Sequence, residues 1–243
     1  MARRLLESAR ILQPVGALAA ISSFLVPRGA GAALLAAGWL LVCALAGLAG
    51  LAELVESRSP APARLLPAAS LGFLAVGGAW LVAYRGALAL GYSPPIVELT
   101  ATHFHYAGFA ATLMSALAYG VLRSRISAAA GLLVVIGTPL TAAGIATGTA
   151  ALTVIGPILL AAGLLTNAAL TAFLIAPRQP NRARWLLIVS SLAVVVPMLL
   201  GVDYAAARVF PIPSLDLRTM ALVHGDLNAV AYALIGLAGW SQA

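Results

Sequence analysis

Long apolar runs, broken by short polar stretches, fill nearly the whole chain. Eight runs stand out, at residues 11–26, 30–54, 65–84, 96–122, 126–146, 150–176, 185–210 and 220–240. One helical crossing of a bilayer takes about 20 apolar residues, and most of these runs are that long. None shows the strict alternation of a barrel strand, and only helices and closed barrels satisfy their own backbone in lipid. The pattern therefore predicts an all-α fold, a polytopic membrane helix bundle forming one integral-membrane domain over residues 1–243. Eight crossings are expected, with seven left open. The first run is short and contains Pro14, which suits a tilted, re-entrant or interfacial segment.

Composition agrees with this reading. Hydrophobic residues make up 62% of the chain, charged residues 9%, and mean hydropathy is +1.02. A soluble domain carries about 25% charged residues, so lipid is the solvent here. Crossings with short loops use up the 243 residues and leave no room for a soluble domain. The net charge of +7 does not point to nucleic acid, because the basic residues lie singly or in small groups between apolar runs. All 14 are arginine. Cys43 is the only cysteine, so there is no intrachain disulfide and no basis for a thiolate cluster. The first run lacks the small-x-small site of a cleaved leader.

Arginine asymmetry sets an expected orientation. With eight crossings and a cytoplasmic N-terminus, the inner side holds Arg3, Arg4, Arg10, Arg58, Arg64, Arg123, Arg125, Arg178, Arg182 and Arg184. The outer side holds Arg28, Arg85, Arg208 and Arg218. The expected location is the cell inner (plasma) membrane, with both termini cytoplasmic. In that frame the fourth and eighth runs enter from outside, which puts His103 and His105 roughly 10 Å deep. His224, Asp226 and Asn228 fall at a similar depth, and Asp203 and Tyr204 close to that level. Glu98, Tyr84 and Arg85 lie near the same boundary. Ionisable groups at membrane depth are costly and usually face a cavity or a partner, so this shared layer reads as a candidate site.

Helical spacing sorts the candidates. Residues seven apart share a face, and residues two apart lie about 200° apart. Glu98, Thr102 and His105 form one stripe, while His103 lies with Tyr106 on another side. His103 and His105 therefore cannot both face one small cavity unless the helix is unwound there. That disfavours a metal, which needs three or more converging ligands, and no metal is expected. His224 and Asn228 share a face that Asp226 does not. A histidine beside an amide or carboxylate suits acid–base work, because its ordinary pKa lies near neutrality. The blander reading is hydrogen bonds that pin helices together, at about 1–2 kcal/mol or less each. Asn167 reads as a helix–helix contact, and Trp39, Trp80, Tyr84, Tyr92, Trp185 and Trp240 as an interfacial belt. Arg85 is expected to snorkel or pair at the interface. No phosphate-binding glycine motif, nucleophile elbow or HExxH is present, and no cofactor is expected.

His103-Phe-His105 and His224-Gly-Asp226 share an H-x-[H/D] pattern at equivalent places in two four-helix halves. Two helices are a thin basis, and chance similarity is favoured over duplication. The abundant glycine and alanine, as in Ala142-Ala-Gly-Ile-Ala, read as close helix packing. Pro139, Pro157 and Pro197 should bend their helices.

The stretches His103-Phe-His105-Tyr-Ala-Gly108-Phe109 and His224-Gly-x-x-Asn228-Ala resemble the YndJ-like family of bacterial membrane proteins. The resemblance rests on these two motifs and the general hydropathy. It implies a shared fold and motif pairing. Members are often labelled as transporters by name, and the resemblance implies no particular reaction.

Three readings are weighed, one of them a non-catalytic membrane protein whose polar cluster only fixes helix packing. The first is an integral-membrane enzyme acting on a lipid-soluble small molecule by isomerisation, epoxide opening or cyclisation of an isoprenoid or polyketide-like chain. His105 with Glu98, and His224 with Asp226 and Asn228, would supply acid and base; His103, Asp203 and Tyr106 are of second rank. The second is a transporter or permease for a small or lipophilic solute, with the histidines as a proton relay. The expected partners are membrane lipid and a hydrophobic small-molecule substrate, not nucleic acid. The oligomeric state is left open.

Overall fold

The computed structural model describes residues 1–243, which are helical almost throughout and contain no strand. Eight rods follow one another: α1 (Ala2–Ser23), α2 (Ala30–Ser57), α3 (Pro62–Arg85), α4 (94–122), α5 (Arg125–Thr147), α6 (Ala150–Arg178), α7 (Asn181–Ala206) and α8 (Leu217–Trp240). Six of them, all but α1 and α4, are long and apolar enough to cross a membrane. The chain is an all-α, polytopic membrane helix bundle. α1 starts well before the apolar run at residue 11, because its backbone stays helical through Arg3, Arg4, Glu7 and Arg10. Hydrophobicity marks where lipid ends, not where a helix ends.

The rod ends follow local chemistry. Ser124 and Ser127 form a reciprocal capping box at the start of α5, and proline occupies the first turns of α3 and α4, where its missing N–H costs nothing. Asp216 caps α8 by accepting from the Arg218 and Thr219 backbone N–H groups, at 2.9 and 3.1 Å. Within α7, the first α-helical stretch stops at Ala193 and a second runs Val195–Ala206. Pro197 explains the stop, because its ring clashes with the carbonyl four residues before it, at Ala193.

Contacts divide the chain into two compact units, Met1–Phe109 and Ala110–Ala243. In the first, α1, α2 and α3 enclose a core of Ala9, Val42, Cys43, Ala46 and Leu74, bordered by Trp39, Leu45, Leu71 and Phe109. Arg85, at the end of α3, is buried and turns back to α1. Its Nη2 donates to the carbonyls of Ser23 and Val26 at 2.6 and 2.7 Å, and its guanidinium lies over the Phe24 ring. The Ser23 carbonyl ends α1 and the Val26 carbonyl lies in the turn just after it, where acceptors lack helical partners and the helix end carries partial negative charge. Arg85 therefore ties α3 to α1 rather than pairing with an acid at the interface.

In the second unit, α5 and α6 touch backbone to backbone. A Cβ on Gly137 would lie 2.5 Å from the Leu160 nitrogen, and one on Gly156 would lie 2.5 Å from the Thr141 nitrogen. Asn167 makes the helix contact expected of it, donating to Ser115 Oγ at 2.9 Å. Ser190 of α7 donates to the Tyr232 carbonyl of α8 at 2.7 Å.

α4 and α8 share an unusual build. Each is α-helical for 10 residues (Pro94–His103; Leu217–Asp226), widens into a π-helix for 8 (Phe104–Ala111; Leu227–Leu234), and then returns to α. At each entrance a side chain takes the carbonyl four residues back: His105 Nδ1 at 2.8 Å from Ala101 O, and Asn228 Nδ2 at 2.9 Å from His224 O. Such capture competes with the i→i−4 ladder and opens the turn. The correspondence reaches all rods. α5, α6, α7 and α8 start 119 to 123 residues after α1, α2, α3 and α4 (Ala2 to Arg125, Ala30 to Ala150, Pro62 to Asn181, Pro94 to Leu217). One four-rod plan is used twice. Its register matches His105 with Asn228 and Ala101 with His224, which differs from the register of the sequence motif.

Two outcomes are expected. Arg85→Met should lower thermal stability in detergent by about 3 kcal/mol, the scale of two hydrogen bonds from a charged donor, and Arg85→Lys should recover part of it. The second concerns Asp216. The Thr219 hydroxyl and backbone N–H hold its carboxyl below the usual value of 3.8. Its contribution is thus complete above that unfolded value and is lost as pH falls through the lower folded value. Acid titration followed by circular dichroism should show Asp216→Ala less stable than the parent at neutral pH, with the gap closing at low pH.

Candidate functional site

Each unit holds its own histidine site. In the first, the His105 imidazole lies against α3 at Gly77, where a Cβ would come within 2.7 Å of Nδ1. Only glycine leaves room for the ring there. The Ala101 carbonyl can only accept, so Nδ1 carries the hydrogen and Nε2 carries the lone pair. That lone pair accepts the Trp39 indole N–H at 2.8 Å, with the two rings stacked at 6.2 Å and 21°. Both nitrogens of His105 are therefore used and the ring is a neutral Nδ1–H tautomer. Geometry makes it a joint between α2, α3 and α4.

Glu98 lies seven residues before His105, as the stripe requires, and is exposed. Its carboxylate lies close enough to the Tyr84 hydroxyl to act on it, and Arg28 and Arg85 lie over the Tyr84 ring. Tyr84 lies seven residues after Gly77, so the Tyr84–Glu98 and Gly77–His105 contacts are successive rungs of one antiparallel α3–α4 pair. Glu98 and His105 share a helix face but have different partners. Thr102 Oγ1 bonds back to the Glu98 carbonyl at 3.1 Å. His103 is half-buried, with its ring edge-on to Phe104 at 5.6 Å, and Tyr106 is exposed.

In the second unit, half-buried His224 crosses from α8 to the bend in α7. Its Nδ1 donates to the Pro197 carbonyl at 2.7 Å. Gly201, one turn on, admits the ring; a Cβ there would lie 3.0 Å from Cε1. The tautomer is again Nδ1–H, but here no protein group bonds Nε2, and its lone pair stays available. Asn228 does share the His224 side of the helix, yet its amide goes to the His224 main-chain carbonyl rather than to the ring. Asp226 is exposed. Asp203 is also exposed and borders a groove of about 530 Å³ between α6 and α7, walled by Ile158, Ala162, Leu165, Met198 and Leu199. Within neither unit do three His, Cys, Asp or Glu side chains gather as metal ligation needs.

Four participants escaped the sequence reading. Trp39, read as an interfacial residue, is partly buried and donates to His105. Pro197 was noted for its bend and not for its carbonyl. Gly77 and Gly201 were two among 23 glycines. The only signal for Trp39 was its place ten residues into α2, too deep for the rim of a helix of that length.

Trp39→Phe should leave the His105 lone pair unmet and cost about 1–3 kcal/mol of stability. Adding His105→Leu should restore part of that loss. Thermal unfolding of the single and double variants in detergent measures both effects, and simple additivity would rule out the bond.

No curated protein matches the chain, and no solved structure matches it. Residues 1–232 match the family model described as YndJ-like protein, so the chain belongs to the YndJ-like family.

Proposed function

We propose that the chain is an integral-membrane enzyme that performs acid–base chemistry on a lipid-soluble small molecule, with His224 as the group that moves the proton. The reaction class is isomerisation, epoxide opening or cyclisation of an isoprenoid or polyketide-like chain. The observation that carries this reading is the anchoring of His224 through Nδ1 to the Pro197 carbonyl, which leaves Nε2 as an oriented base without a protein partner. Imidazole suits both halves of a proton transfer at neutral pH, and apolar surroundings keep water from competing. Asp203, on the helix that anchors His224, is the accessory acid. His105 supports the fold, because its two nitrogens are already used. The site belongs to the outer half of the plasma membrane, with both termini cytoplasmic.

The repeated four-rod plan favours a second reading, a transporter for a lipophilic solute with His224 in a proton relay, since parallel repeats build several transporter folds.

One experiment separates these. Membranes from hosts carrying the parent, His224→Gln or no copy are profiled for lipid-soluble metabolites, and uptake is measured in vesicles. The enzyme reading expects a substrate–product pair whose conversion falls by about 100-fold or more in His224→Gln while the purified variant still melts cooperatively. Unchanged conversion in that folded variant would discard it. Altered distribution across the membrane without any new product would select the transporter.

A further inference from the structure

The two uses of the four-rod plan differ most in the space beside their second and third rods. In the first unit the second rod carries Trp39, packed on the core that includes Cys43 and Leu74 and bonded to His105. In the second unit the matching stretch of α6 is Leu159-Leu160-Ala161-Ala162, with no aromatic side chain. There the groove of about 530 Å³ lies open between α6 and α7. Its walls are aliphatic, and Asp203 is the only charged residue among them.

Asp203 takes part in none of the ion pairs, which join Met1 to Glu56, Arg3 to Glu7 and Arg64 to Glu53. The nearest cation in sequence, Arg208, donates to the Tyr204 hydroxyl instead. The carboxylate thus borders an apolar channel without a cation of its own. It also lies at one end of that channel. Asp203 is about 5 Å from the end of α7, whereas Leu165 is about 22 Å along α6 from the neighbouring end. The charge sits near the end of the rod, with the apolar walls continuing away from it along α6 and α7. Ile158 and Leu199 are 45% and 60% exposed, so the channel opens sideways.

We propose that this groove binds a lipophilic amine, a single apolar tail carrying a protonated amino group, with the ammonium on Asp203 and the tail along α6 and α7. Each part of that ligand has a counterpart: apolar walls for the tail, an unpaired carboxylate at the interfacial end for the head, and a lateral opening for entry from the bilayer. An anionic amphiphile would meet like charge at Asp203, and a neutral one would leave the carboxylate unmet. The assignment shares Asp203 with the reaction proposed above but does not depend on it, since His224 itself contacts α7 through Pro197 and Gly201 rather than through the groove residues.

The test uses the full chain purified in dodecyl maltoside, with dodecylamine as probe and dodecanol and dodecyl sulfate as controls, each read by the shift in melting temperature over a concentration series. Dodecylamine should stabilise the parent saturably, and the two controls should not. Asp203→Asn, a change at an exposed position, should weaken the apparent affinity at least tenfold. Ala162→Trp, which fills the groove from its α6 wall, should abolish the shift while the protein still melts cooperatively. Equal stabilisation by dodecanol, or an unaltered response in Asp203→Asn, would overturn the proposal. So would mass spectrometry showing phosphatidylethanolamine retained by the parent and lost from Asp203→Asn, since the groove would then hold a bilayer lipid.

Discussion

The line of hydrogen bonds from the Trp39 indole through the His105 ring to the Ala101 carbonyl governs the first unit. In hydrocarbon a polar group has no water to fall back on, so each member of the line needs the next. One imidazole satisfies two demands because its nitrogens have opposite roles. The indole can only donate and the carbonyl can only accept, and a neutral Nδ1–H ring matches both. The choice of tautomer, the open turn of α4, the close approach at Gly77 and the joining of three helices are then one fact seen from four sides. The same logic runs through quieter places. Thr100, Ser115 and Thr138 each bond to the carbonyl four residues before them, and Arg85 turns inward to the end of α1.

What could be read from residues alone follows from which interactions are local. Lipid-facing runs are written along the chain, so the helical class and nearly every rod were legible. The spacing of Glu98 and His105 correctly put them on one face, and Asn167 was legible as a contact because amides in lipid need partners. Partner choice was not legible. Trp39 and His105 are 66 residues apart, and nothing in either local stretch names the other. The π-turns were hidden too, because the helical wheel used to sort His103 from His105 assumes 3.6 residues per turn, and a side chain that captures a carbonyl changes that count.

The two units show how one plan can serve different ends. Where the first has an indole and a histidine that satisfy one another, the second has a leucine in place of the indole, an amide in place of the histidine, and a histidine moved back by one helical turn. His224 occupies the place of Ala101, and so it meets the bend at Pro197 instead of an indole. The first unit closes its polar groups upon themselves, and the second leaves a ring nitrogen and a carboxylate without protein partners. Repetition of a fold here preserves the hydrogen-bonded turn and releases the groups around it.

The glycine contacts between α5 and α6 have a consequence for mutational tolerance. An interface of side chains degrades gradually, since a neighbour can change rotamer and absorb a methyl group. Where a Cβ on Gly137 or Gly156 would come within 2.5 Å of a backbone nitrogen, the opposing atoms have no rotamer to change, and even alanine must separate two whole helices. Such a contact has no intermediate grades of substitution. Lipid-facing positions along the same two rods can drift among leucine, isoleucine and valine, so the hairpin combines a freely varying outside with a seam that admits one residue type.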